Sequence, residues 1–443
     1  MKSAISYKRI WAVAYPIILG SMAQNLINFT DTAFLGRVGE IALGGGAFGG
    51  IFYLAVYMLG LGFGQGEQIV VARRYGENKP AEIGGVVNQS FLFLLGLSVL
   101  AFMILRFGST VILNYGVKSE AVHKATTIFL EYRSFGIFFA FINVVFRSFY
   151  IGLGRTKIIS YNTFLLAMVN IVFDYLLIFG KFGFPEMGIA GAAIASVMAE
   201  ITAMIHFVVY TRFFVDVSEY RLFKELRLQY ERMVRILKVA IPTMIQQFVS
   251  LSVWFAFFLF VEKLGNSALA VSNIIRSIYV ILMVPIWGFA TASNTLVSYL
   301  IGQGEQKQVM QLVYKIALLS IGSVFIIVLL SFWFSRDVLS IYTSDQTLIA
   351  LGIPVIKVVS VGACLLSVGF VFLSGVAGTG KTNISLYLEL VVLTMYVVYT
   401  YLVVDVFHGN VTQAWTAEWL YGFMIGVVSW SYLKTGRWKA HKI

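Results

Sequence analysis

The sequence predicts an all-α integral membrane protein. Twelve transmembrane helices would form two six-helix lobes related by a pseudo-twofold axis along the membrane normal. Three observations carry this expectation. The 443 residues are 59% hydrophobic and only 12% charged, with a mean hydropathy of +0.84, whereas soluble proteins carry about 25% charged residues. One apolar stretch after another reaches the ~20 residues that a bilayer-crossing helix requires. The two halves of the chain also resemble each other at one fixed offset.

The composition leaves too little polar surface for a water-soluble fold. The high aromatic content suits interfacial belts of Trp and Tyr. The single cysteine, Cys364, lies in an apolar run and excludes a disulfide framework. Lys8 and Arg9 precede an apolar segment that is too long for a signal-peptide core and lacks a small-residue cleavage site. It reads as the first span.

The apolar stretches place spans at 10–36, 44–72, 84–107, 125–150, 157–180, 187–211, 236–261, 268–300, 311–334, 350–376, 384–404 and 411–433. Pro16, Pro242, Pro285 and Pro354 are candidate kink sites. Of the 33 Lys and Arg, 22 fall on one side, including Lys2, Lys8, Arg9, the 212–238 segment and Lys434 to Lys442. Seven fall on the other side, among them Arg37, Lys118 and Lys181. The remaining four lie within spans (33 − 22 − 7 = 4). This bias puts both termini in the cytoplasm of a bacterial plasma (inner) membrane. It also accounts for the +12 net charge through anionic lipid headgroups, with no nucleic acid required. The polar stretch 212–238 reads as an amphipathic cytoplasmic linker helix. It separates an N-terminal lobe (1–211, six spans) from a C-terminal lobe (239–443, six spans).

The repeat fixes the pairing of the halves. Pro16 and Pro242 are 242 − 16 = 226 residues apart. At that offset Gly39 meets Gly265, Gly62-Phe63 meets Gly288-Phe289, and Gly76 meets Gly302. Far downstream, Gly152 to Thr156 (GLGRT) meets Gly378 to Thr382 (GTGKT). Internal repeats of this kind are typical of secondary transporters, whose sites lie at the repeat interface near mid-membrane. Residues Gly375 to Thr382 (GVAGTGKT) also fit a phosphate-binding loop, but that loop needs a preceding strand. Here a membrane span precedes it, so a tight Gly-rich turn is expected.

Ionisable groups inside a bilayer are functional candidates by default. Gln24, Asn28 and Asp31 share one face of the first span, and Asn170 and Asp174 share one face of the fifth. Asp31 lies 37 − 31 = 6 residues before Arg37, and Asp174 lies 181 − 174 = 7 before Lys181. Both carboxyls therefore sit roughly 10 Å below the outer flank. A pair at matching depth can hold a proton, or bind a sodium ion through Asp31, Asn170 and Asp174. At the repeat offset these positions become Phe257, Thr400, Trp254 (for Asn28) and Tyr396 (for Asn170), so the titratable cluster is expected in the N-terminal half alone. Aromatic Trp254, together with Gln246, Gln247, Asn143, Lys357 and Glu389, completes a candidate substrate-contacting set. Arg147 and Glu200 lie near span ends, where long side chains reach the interface. His206 reads as structural. Four His and one Cys without metal-ligand spacing argue against an intramembrane enzyme, and no cofactor is expected.

These residues resemble the MATE family (multidrug and toxic compound extrusion) over nearly the whole chain. The matching pieces are the Pro16 helix ending QNLINFTDTAFLGRVG, the loop ARRYGENK, NVVFRSFYIGLGRTK at 143–157, NIVFDYLLIFG at 170–180, GIAGAAIAS at 188–196, and the second-half IP at 241–242. The resemblance implies two six-helix lobes around a cleft, and antiport of protons or sodium against organic, often cationic, compounds. It implies that Asp31 is the first-helix aspartate of the family and that Gln24 stands at a further matching position. Asn170 and Asp174 match the N-lobe cation site of the DinF-like branch, Ser196 a hydroxyl of that site, and Pro16 the point where the first helix bends. Ser250 and Ser367 stand where the NorM-like branch carries acids, whereas GKFGFPEMG at 180–188 looks NorM-like, so branch and coupling ion stay open. The implied partners are membrane lipid and small organic cations, with the chain acting as a monomer. A flippase for an amphiphilic or lipid-linked solute is the alternative within transport.

The orientation is directly testable. A green fluorescent protein fused after Ile443 is expected to fluoresce, and alkaline phosphatase at the same point to remain inactive. An active phosphatase would reverse the assignment.

Overall fold

The structure, a computed structural model, describes residues 5–108, 113, 119–224, 226–439 and 441. Lys2, Lys118 and Lys442, used above for orientation, lie outside the described residues, as does Glu225 of the linker.

The spans appear where the hydropathy places them. The first is Tyr7–Val38, the second Glu40–Gly76, and the third Pro80–Met103 with a π-helical turn Ile104–Gly108. The fourth is broken into Glu120–Arg133 and Gly136–Gly152, bent by 53°. The fifth is Lys157–Phe179, the sixth Ile189–Phe214, the seventh Tyr230–Glu262 and the eighth Asn266–Gly302. The ninth is Val309–Trp333, the tenth Gln346–Gly378, and the eleventh Thr382–Tyr401, closed by a π turn Leu402–Val406. Val411–Trp415 and Ala417–Thr435 form the twelfth. Ten helices among the described residues are long and apolar enough to cross a membrane, and eleven spans result when the bent pair counts as one. The last helix, 19 residues long, completes the twelve.

The repeat is written into the backbone. Gly39 (φ 140°) and Gly265 (φ 101°) both cap the following helix in a conformation that favours glycine. Gly154 (φ 68°) and Gly380 (φ 90°), again 380 − 154 = 226 apart, both turn the chain between spans. The GVAGTGKT segment is therefore the end of the tenth helix and a left-handed turn, with no strand before it.

Two compact units emerge, and their boundaries obey the same offset. One holds Leu19–Met244; the other holds Met1–Ile18 and Ile245–Ile443. The first span changes unit after Ile18, two residues past Pro16, and the seventh after Met244, two residues past Pro242 (244 − 18 = 226). Both helices run unbroken through their prolines, as the eighth and tenth do through Pro285 and Pro354. In the Leu19–Met244 unit the second span packs on the third and on both segments of the fourth, and the fifth on the sixth. Gly62 and Gly66 admit the start of the seventh helix: a Cβ at either would stand 2.5 Å from a backbone Cα, of Met244 and Ala240 respectively. The Thr243 hydroxyl donates to the Gly62 carbonyl at 2.7 Å. In the other unit the tenth span packs against the eighth, ninth and twelfth, around a core that includes Phe257, Tyr396, Trp415 and Tyr421.

One expectation fails in the linker. Among the described residues of 212–238 there is no separate linker helix longer than one turn. Residues to Phe214 continue the sixth span, Val217–Tyr220 makes one turn, and the seventh span has begun at Tyr230. The third span supplies the reason. Asn88 Oδ1 accepts the Phe223 N–H at 2.8 Å, while Gln89 donates to the Arg227 carbonyl (2.7 Å) and accepts from the Gln229 N–H (2.9 Å). These side chains satisfy backbone groups that a helix would otherwise pair. Arg221 and Phe223 take left-handed φ values, and Tyr220 and Leu222 are buried.

The break in the fourth span serves an ion pair. Arg133 donates to Glu200 through two bonds, Nη2 to Oε1 at 2.6 Å and Nη1 to Oε2 at 2.9 Å. Its guanidinium stacks 3.6 Å from the Tyr53 ring centroid, and the Tyr53 hydroxyl donates to Glu200 Oε1 at 3.1 Å. A side chain at Gly136 would collide with both partners, at 2.2 and 2.3 Å. Glu200 thus turns inward rather than reaching the interface. Removing one member of such a buried pair strands the other, at a cost of about 3–5 kcal/mol. Arg133→Leu is expected to lose about that much stability in detergent unfolding, and Arg133→Leu/Glu200→Leu to recover most of it.

Candidate cation site and its counterpart in the second half

The C-terminal part of the first span runs parallel to the fifth and in register with it. A Cβ at Gly20 would lie 3.3 Å from Thr163 Oγ1, Asp31 stands beside Asp174, and the Phe34 and Phe179 rings are 5.5 Å apart. The first two contacts share one spacing (163 − 20 = 143; 174 − 31 = 143). The register therefore delivers the matched carboxyls that the sequence suggested.

Asp174 is fully buried, Asn170 nearly so, and Asp31 half-buried. The two carboxyls lie within hydrogen-bonding reach of each other. Two carboxylates cannot bond to each other, because both only accept. Accordingly, among the described residues, Asp31 Oδ1 and both oxygens of Asp174 have no donor partner, and neither has Asn170 Oδ1. Asn170 Nδ2 donates to Ser196 Oγ at 3.4 Å, which ties the fifth span to the sixth. Four oxygens without donors, on neighbouring side chains, form an arrangement that one proton or one monovalent cation completes. Hard cations favour such oxygen ligands. Among the described residues no three His, Cys, Asp or Glu side chains are grouped to hold a metal ion, so any cation here uses the amide as a ligand as well. Gln24 and Asn28 share the expected face but are exposed, and among the described residues their side chains make no hydrogen bond to the pair.

The second half is built on the same register with different chemistry. Gln246 and Glu389, the repeat positions of Gly20 and Thr163 (389 − 246 = 143), are hydrogen-bonded, Gln246 Nε2 donating to Oε2. Ser250 (2.6 Å) and Tyr421 (2.8 Å) donate to Glu389 Oε1. Phe257, at the Asp31 position, packs against Tyr396 at 6.0 Å and Trp415 at 4.9 Å. Thr400, at the Asp174 position, only donates to its own helix, at 2.9 Å to the Tyr396 carbonyl. An aromatic plug therefore fills the place of the carboxyl pair. Yet the acidic chemistry is not confined to the first half, as the fixed offset implied. Glu389 and Glu418 are both buried, and Glu418 accepts from Tyr279 and Tyr396, each at 3.0 Å.

Glu418 escaped the sequence reading because the twelfth span is shifted. The sixth starts after cap Gly188 and the twelfth after cap Asn410, an offset of 410 − 188 = 222. At 222 Glu418 falls on Ser196, so the Asn170–Ser196 contact and the Tyr396–Glu418 contact occupy equivalent places. A four-residue gap in the self-alignment would have revealed it.

The remaining candidates are dispersed. Asn143 donates to the Glu200 carbonyl at 2.9 Å, and its Oδ1 has no donor partner. Trp254 stacks on Tyr279 at 6.4 Å and lies edge-on to Phe258 at 5.1 Å; its indole N–H has no acceptor. Gln247 is half-buried. Lys357 is exposed, with its ammonium 5.1 Å from the Phe332 ring. It makes no contact with Glu389 among the described residues. His206 shares a hydrogen bond with Asn162 at 2.7 Å, as a structural residue would. Ser367 donates only to the Cys364 carbonyl.

Comparison with known proteins agrees with this architecture. The MatE family model matches residues 16–176 and again 242–402, two copies separated by the same 226 residues (242 − 16 and 402 − 176). A probable multidrug resistance protein NorM from Agrobacterium fabrum is 27% identical over 316 residues, 70% of this chain and 68% of its own length. The one from Thermotoga maritima is 24% identical over 378 residues, 85% and 80% of the two chains. A solved outward-facing multidrug resistance MATE transporter of the MOP superfamily has a TM-score of 0.89 at 21% identity, covering 97% of this chain and 95% of that one. A MOP superfamily transporter from Pyrococcus furiosus has a TM-score of 0.88 at 19% identity with the same coverage. With both repeats matched by one family model, the chain belongs to the MATE family of multi-pass membrane transporters.

Proposed function

We propose that this protein is a secondary active antiporter that exports organic cations in exchange for protons or sodium. The observation that carries the reading is the Asp31–Asp174 pair, two touching carboxyls whose oxygens lack donors in a membrane-spanning bundle. Charge is costly there, so the pair is stable only with a cation bound, and a site that must hold a cation can give it up only in exchange. Asn170 and Ser196 position the pair from the fifth and sixth spans. Gln24 and Asn28, exposed below it on the same face, offer polar contacts to an arriving solute.

The hinge is Pro16. It removes a backbone donor two residues before the first span passes from one compact unit to the other. Loss of the cation from Asp31 would be felt along the same helix. Alternate exposure of the site to the two sides then couples the ion to the solute. Multidrug export is what the NorM relatives' names describe; for this chain it is the substrate class we assign. We place the protein as a monomer in the bacterial inner membrane, with no cofactor.

The test is efflux from liposomes in which pH and sodium gradients are varied independently. Asp31→Asn and Asp174→Asn each remove an interaction of the bound cation. Each is expected to lower coupled efflux roughly tenfold or more, the effect of about 1.4 kcal/mol. Undiminished gradient-driven efflux in both variants would overturn the assignment.

A further inference from the structure

Glu67 is unlike the other buried glutamates among the described residues. Glu200, Glu389 and Glu418 each accept from two or more donors. Glu67 is completely buried in the second span, and neither carboxyl oxygen has a hydrogen-bond partner among the described residues. Beside it stands the Ser90 hydroxyl of the third span, also fully buried and, among the described residues, also without a partner. At the repeat position of Glu67 the second half has Ser293 (293 − 67 = 226), which donates to the Val371 carbonyl at 2.9 Å.

Among the described residues, no charged group on the elements packed around the second span forms an ion pair with Glu67. Glu82 of the third pairs with Arg74 and Lys79. Arg133 of the fourth pairs with Glu200 of the sixth, Arg147 lies near Tyr57, and the Tyr150 hydroxyl bonds Thr211. On the seventh, Arg235 pairs with Glu231 and Lys238 is exposed. A carboxylate in this setting has neither donor nor counter-ion, and its burial costs several kcal/mol. A carboxylic acid gains a donor, and Ser90 Oγ is placed to accept from it.

The position makes this proton consequential. Glu67 lies 73 − 67 = 6 residues before Arg73, so about 9 Å along the helix from the cytoplasmic flank. The preceding turn carries Gly62 and Gly66, which clasp residues 240–244 of the seventh helix in backbone contact. Ionised Glu67 would need water, and water reaches it only if this packing loosens.

We propose that Glu67 is a second proton-binding site, a latch that keeps the cytoplasmic end of the Leu19–Met244 unit packed while protonated and releases it when the proton passes to cytoplasmic water. This rests on the antiport reading for its purpose, but its test does not depend on transport.

Infrared difference spectra of the purified protein across a pH titration are expected to show the carbonyl band of a protonated carboxyl that disappears in Glu67→Gln and persists in Asp31→Asn. Hydrogen–deuterium exchange at residues 62–68 and 236–244, corrected for the intrinsic pH dependence of exchange, is expected to rise as that band is lost. In Glu67→Gln it should stay low at every pH. Ser90→Ala, which keeps the carboxyl and removes its neighbour, is expected to retain the band and shift its midpoint, and it serves as the test should Glu67→Gln not fold. A band and an exchange profile unchanged by Glu67→Gln, or a midpoint unmoved by Ser90→Ala, would overturn the latch. Loss of coupled efflux in Asp31→Asn with the Glu67 band intact separates the two sites.

Discussion

A carboxyl oxygen that finds no donor inside a membrane bundle is the constraint around which this structure is organised. The low dielectric of a membrane interior does not tolerate a bare charge without donors. The protein meets this constraint in three ways. Glu200 is neutralised by Arg133 and sheltered by Tyr53. Glu389 and Glu418 are surrounded by hydroxyl and amide donors. Asp31, Asp174 and Glu67 are left incomplete. The first two arrangements hold helices together, whereas the third, in the function proposed above, is completed by an exchangeable cation.

Duplication explains how both kinds arose on one scaffold. The register of the first and fifth spans, 143 residues apart at their contacts, recurs in the seventh and eleventh. On that common frame the first half places carboxyls near the C-terminal ends of the two spans. The second half fills the same level with Phe257, Tyr396 and Trp415. Its own carboxyl, Glu389, stands at the level of residue 163, which is 174 − 163 = 11 residues or about 16 Å deeper along the helix. The backbone was copied and the chemistry was moved.

What could be read from the residues follows from the range of the forces involved. Hydropathy is local, and among the described residues it located the eleven spans that are long and apolar enough to cross a membrane. Helix periodicity put Asp31 and Asp174 at one depth, and the invariance of the offset gave the repeat. Long-range pairing was hidden. Arg133 lies two residues from Glu131 in sequence, but the bent fourth span delivers it to Glu200, 67 residues away, while Glu131 pairs with Arg106. The linker looked helical by composition, but Asn88 and Gln89, far off in sequence, claim its backbone. Glu418 was invisible for a simpler reason, a four-residue shift confined to the last span. Glu67 stood in plain view, and its lack of partners became evident only in the fold.

The central claim is that the Asp31–Asp174 pair holds one cation and surrenders it to a solute. The most direct measurement is ion release when tetraphenylphosphonium binds to detergent-solubilised protein in weak buffer, followed with pH- and sodium-selective electrodes. The account predicts about one proton or sodium ion released per bound solute in the wild type, and none in Asp31→Asn/Asp174→Asn. Equal release in the double variant, or solute binding by the wild type with no ion released, would contradict it.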